Sequence, residues 1–176
     1  YFTILSNMLV MFFMGDMVWR MLRGRSTQTK GYLRMKGAVT MAIMITFVIY
    51  HFMLAPLATP EKFYRLENFL CHYIVPLMFF FDTLVIDKAK QYRKLDPFFW
   101  TLIPLAYMLF ALLNGLVLKW PIPGAKDSPF AYFFINVNKY GWAFVGKWVV
   151  IIFIAYLLAG YVLYGIKNIK RKSAVS

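Results

Sequence analysis

Five apolar runs limit this chain to one kind of architecture, because each is long enough to cross the roughly 30 Å hydrocarbon layer of a bilayer as a helix. Within lipid every backbone N–H and C=O has to find its partner inside the protein, and a run of about twenty apolar residues achieves that as an α-helix. The runs cover about 1–22, 37–57, 68–86, 98–118 and 144–166. Pro56 and Pro60 close the second. Pro104 inside the fourth is tolerable where neighbouring helices satisfy the freed backbone. The expectation is an all-α, polytopic transmembrane helix bundle, a single domain over 1–176 with five visible spans. The chain enters its first run at Tyr1 without a methionine, so a segment is expected upstream, a further span in preference to a removed signal peptide.

Composition agrees, since 61% of the residues are hydrophobic against about half in a soluble domain. A net charge of +13 raises the question of nucleic acid. The basic residues, however, cluster between the apolar runs and form no aromatic-interleaved groove, so no nucleic-acid partner is expected. Successive connections hold five, two, four, three and four basic residues. By the positive-inside rule this alternation places 23–36, the loop 87–97 and the tail from 167 in the cytoplasm. The turn 61–67 and the aromatic connection 119–142 then face the other side. The lone cysteine, Cys71, excludes an intrachain disulfide and reads as packing. Glycine-rich nucleotide loops, HExxH and GxSxG are absent, and no cofactor or metal is expected: two histidines leave a zinc site short of ligands, and large side chains crowd His72 against haem.

The polar exceptions within the spans are the informative residues. NFLCHYIVPLMFFFD, 68–82, puts Asn68 and His72 one turn apart on one helix face, with Asp82 roughly 15 Å beyond His72 at 1.5 Å per residue. Pro76 has no N–H for the carbonyl of His72, so the backbone is freed beside the imidazole. Thr3, Ser6 and Asn7 share a face at the outer end of the first span, and His51 lies about two turns below the outer end of the second. Asp16 and Arg20, at i and i+4, pair with each other.

If the first three spans are neighbours, these groups converge on a shallow outer pocket with Asp82 near mid-membrane beneath it. Thr3 with His72 is then the candidate nucleophile and base, for threonine attacks only when a base takes its proton. Asn68, Asn7 or His51 could steady an oxyanion. The alternative without chemistry is that Thr, Ser and Asn make ordinary interhelical hydrogen bonds. His51 reads first as a packing or interface histidine beside Tyr50. Asp82 is open between a neutral carboxyl, a partner for a cation or hydroxyl, and part of a proton path.

At these residues the chain resembles the androgen-induced-protein family of integral-membrane threonine hydrolases, in the form of its shorter bacterial relatives. The resemblance covers most of the chain and rests on the start YFTILSN, the N-x3-H pattern ending at His72, an acidic residue ten positions later at Asp82, and the outer loop WPIPGAKDSPF. It implies six spans with both termini cytoplasmic, a nucleophilic Thr3, a catalytic His72, and metal-independent hydrolysis of fatty acid esters of hydroxy fatty acids. Pro76 comes one residue earlier than in animal members, and Phe69 stands where they often carry a second histidine. A bacterial cytoplasmic membrane and membrane lipids as substrate or ligand follow from the same resemblance. The competing expectation is a non-enzymatic small transporter or lipid-binding protein that holds a head group with the same residues.

Overall fold

A computed structural model describes residues 1–125 and 128–169; the tail residues 170–176 and Lys126 and Asp127 of the aromatic connection lie outside the described residues. Five helices are long and apolar enough to cross a membrane: α1 (Phe2–Leu22), α2 (Lys30–Leu57), α3 (Leu66–Val85), α4 (Asp96–Leu118) and α5 (Val137–Asn168). The protein is an all-helical, integral membrane bundle. Its helices run alternately between a basic end, where α1 and α3 finish, and an aromatic end, where they begin.

The central helix is α2, packed against each of the other four. It can take that place because small residues line its contacts: Gly37 and Ala42 allow close approach, and Thr40 bonds Thr83 Oγ1 on α3 at 2.7 Å. A Cβ on Gly37 would come within 2.6 Å of the Trp100 ring of α4. The outward faces of α1 and α3 carry Phe12, Trp19, Met78 and Phe81, all exposed and suited to lipid.

Two helix boundaries differ from those expected. The second helix begins at Lys30, seven residues before Gly37. Lys36 is thereby drawn into the bundle, fully buried, with its ammonium 2.5 Å from both Asp82 Oδ2 and Asp87 Oδ1. A charge run reads as loop in sequence, whereas paired carboxylates make burial of that lysine feasible. The fifth helix begins at Val137 and is interrupted at Gly141, whose φ of 78° is the left-handed conformation open to glycine. The outer connection is correspondingly shorter than 119–142.

Three single π-turns sit at the aromatic end: Tyr50–Leu54, Leu70–Ile74 and Asn114–Leu118. In the first two a proline stands two positions past the turn, Pro56 and Pro76. A proline ring collides with the carbonyl four residues back in an unbroken α-helix, and widening the turn by one residue relieves the clash. His51 and His72 both ride on such widened turns.

Candidate active site

His72 reaches α1 from the π-turn of α3, and its Nε2 lies 3.3 Å from Thr3 Oγ1. Its other ring nitrogen, Nδ1, is 3.1 Å from the backbone carbonyl of Asn68. A carbonyl only accepts, so Nδ1 carries the proton and Nε2 is left as the acceptor aimed at the threonine hydroxyl. The imidazole is held flat by Tyr50 of α2, stacked at 3.8 Å between ring centroids and 21° between planes. Neutral imidazole in this tautomer can take a proton from Thr3 and return it later.

The threonine is fixed as tightly. Its backbone carbonyl accepts Ser6 Oγ–H at 3.1 Å and Asn7 Nδ2–H at 2.8 Å. Ser6, fully buried, also bonds Thr46 Oγ1 of α2 at 2.7 Å. The second Asn7 N–H crosses to the carbonyl of Cys71 at 3.1 Å. That carbonyl is free for a specific reason: Val75 N–H bonds Leu70 O in the π-turn, and Pro76 has no N–H to offer.

The remaining nominated residues are placed elsewhere. The Asn68 side chain donates to Phe63 O at 2.9 Å, closing the turn before α3, so its backbone rather than its amide serves the site. His51 is exposed, with Nδ1 3.3 Å from Tyr73 Oη, and does not converge on the pocket. Successive helical residues are rotated by about 100°, and Tyr50 holds the inward direction. Asp82 lies one turn from the end of α3, at the basic end rather than mid-membrane, because the span stops at Val85. Its partner is a cation, Lys36.

Thr3 lines an apolar cavity of about 100 Å³ between α2, α4 and α5, whereas His72 stands behind it. Tyr50, Tyr107 and Tyr132 flank Thr3 at the aromatic end, and Thr101 and Tyr156 close the other. On α2 the lining runs from Ile45 to Leu54, roughly 13 Å at 1.5 Å per residue. The slot is therefore long and narrow, with a hydroxyl at one end.

Tyr132, in the connection between α4 and α5, is the residue that sequence reasoning missed. Its Oη accepts Phe2 N–H at 3.0 Å and lines the same cavity as Thr3. Burial pushes its phenol above the ordinary value, against the opposing pull of the Thr3 and Phe2 contacts, so the hydroxyl keeps its proton at neutral pH. Its position depends on Asn114, which bonds Trp120 O, Pro129 O and Trp120 N–H across the loop. The signal in the sequence was only an aromatic, proline-rich loop, and such a composition does not say which ring turns inward. The chain matches no protein-family model, no curated protein and no solved structure.

Proposed function

We propose that the protein is an intramembrane lipid esterase in which Thr3 is the nucleophile and His72 the general base, as the resemblance to the threonine hydrolases suggests. The observation that supports this reading is the 3.3 Å approach of Thr3 Oγ1 to a His72 Nε2 whose tautomer is set by Asn68 O. An ester would place its acyl chain in the apolar slot and its carbonyl carbon against Thr3 Oγ1. As the Oγ1–C bond forms, the carbonyl π pair moves to oxygen and the threonine proton passes to Nε2. Collapse breaks the bond to the leaving oxygen, which takes that proton from the imidazolium. Water then attacks the acyl-threonine by the same sequence in reverse, releasing the fatty acid and free Thr3.

The slot suits a substrate that lives in the bilayer, of which fatty acid esters of hydroxy fatty acids are the candidate class. The positive-inside rule orients the basic end to the cytoplasm and the Thr3 site to the opposite face of a bacterial cytoplasmic membrane. Labelling of the purified protein with a fluorophosphonate tests the assignment. Wild type is expected to label, and Thr3→Ala and His72→Ala to lose the label. Undiminished labelling of Thr3→Ala would remove the nucleophile and the reading with it.

A further inference from the structure

A threonine esterase needs a hydrogen-bond donor where the carbonyl oxygen becomes an oxyanion, and such a donor is worth about 100- to 1,000-fold in rate. The polar groups around the cavity leave few ways to supply it. Both N–H groups of Asn7 are spent on carbonyls, and the Asn68 amide is turned to Phe63. Thr46 is bonded to Ser6, while Thr101 and Tyr156 donate to the carbonyls of Phe98 and Trp100 at the far end. At the end where Thr3 sits, the hydroxyls are those of Tyr50, Tyr107 and Tyr132, and Tyr50 gives its ring face to His72.

We infer that Tyr132 is a catalytic residue whose hydroxyl donates to the oxyanion formed on Thr3. This rests on the Thr3–His72 reading. The proton of the Thr3 hydroxyl points to His72 Nε2. Tyr132 Oη accepts the N–H of Phe2, the residue next to Thr3, and lines the same cavity as Thr3, so its own proton is left for a ligand there. When Oγ1 bonds to the ester carbon, the new oxyanion is attached to that same carbon, next to Oγ1 and on the cavity side where Tyr132 also lies. The Tyr132 O–H donates to that oxyanion, and no proton is transferred to it. The phenol is prepared for this by what it accepts, since Phe2 N–H at 3.0 Å polarises its O–H bond. Its ring is clamped by Phe134, stacked at 5.1 Å, and by Tyr1, edge-on at 5.9 Å.

The test compares p-nitrophenyl octanoate with its thiono analogue, in which sulfur replaces the carbonyl oxygen and accepts hydrogen bonds poorly. The full chain is used in lipid nanodiscs. Tyr132→Phe keeps the clamped ring and is expected to lower kcat for the oxygen ester about 100- to 1,000-fold with KM little changed. The wild-type preference for the oxygen ester over the thiono ester is expected to collapse in the same variant. A purely structural loss would slow both esters alike. 3-Fluorotyrosine incorporated at position 132, which keeps the ring and the hydroxyl and makes the O–H a stronger donor, is expected to widen the preference, and it decides the matter if Tyr132→Phe does not fold. Unchanged kcat and preference in folded Tyr132→Phe, or an unchanged preference in the 3-fluorotyrosine protein where only that one folds, with Thr3→Ala inactive, would overturn the role of Tyr132 alone. Full activity in Thr3→Ala would overturn the parent reading instead.

Discussion

Asn7 of α1 donates to the carbonyl of Cys71 on α3 at 3.1 Å, one residue before His72 and four after Thr3. The bond joins the two helices that bear the hydroxyl and the imidazole. It exists because Pro76 and the π-turn leave that carbonyl without a helical partner.

Replacing Asn7 with Ala leaves Cys71 O unpaired and removes a bond to Thr3 O. A buried acceptor left so costs about 1–3 kcal/mol. The expected result is a lower melting temperature and slower fluorophosphonate labelling of Thr3. Pro76→Ala works on the same bond from the other side, since an N–H at position 76 lets the turn relax to α and Val75 N–H take Cys71 O. Labelling is expected to slow here too, with a smaller loss of stability. An unchanged rate in both variants would show that the clamp does not set the Thr3–His72 distance.

Gly115 gives a test at a distance. A Cβ there would lie 2.1 Å from the ring of Phe130, which is 2% exposed. Gly115→Ala should therefore push out the segment that carries Tyr132 while leaving Thr3, His72 and Asn68 untouched. Turnover is expected to fall while the hydrogen bond of His72 to Asn68, read from the imidazole NMR resonances, persists.

Asp82 is expected to matter for stability and not for chemistry. It is ion-paired with Lys36 at the basic end, roughly 15 Å along α3 from His72 at 1.5 Å per residue. Asp82→Asn should lower the melting temperature yet leave the rate of Thr3 labelling in folded protein within about two-fold, the scale of a negligible energy difference. A thousand-fold loss of labelling would reinstate it as a site residue.

The five spans, the Asp16–Arg20 pair and the facing of Thr3 and His72 were legible in the sequence because each follows from local rules: apolar run length, i to i+4 spacing, and depth counted along a helix. What was not legible depends on partners distant in sequence. Lys36 looked like loop because its two carboxylates lie more than forty residues away. Asn68 was weighed as a side-chain donor, whereas its carbonyl orients the imidazole, and backbone roles leave no mark on residue identity. Tyr132 sits in a loop without periodicity, 130 residues from the Phe2 amide it accepts from.

The buried pair of Lys36 and Asp87 makes stability depend on pH in a direction that can be worked out. Burial pushes the Asp87 carboxyl above its ordinary value, and the Lys36 hydrogen bond and charge oppose this. A carboxyl whose folded pKa is raised binds its proton more readily in the folded state. Its stabilising contribution is then full below the unfolded value of about 3.9 and is lost as pH rises through the folded value. Lys36→Met removes the opposing cation from the buried Asp87 carboxylate, which costs about 3–5 kcal/mol near neutral pH. Acidification protonates Asp87 and should return much of that loss, so the melting temperature of Lys36→Met is expected to rise toward wild type as pH falls from neutral to the carboxylate range. Adding Asp87→Asn supplies the neutral form permanently and should flatten most of that slope, with any remainder assigned to Asp82. A Lys36→Met variant whose melting temperature did not rise on acidification would mean that Asp87 is already neutralised by another partner, for which Lys167, bonded to Asp87 O at 2.6 Å, is the adjacent cation.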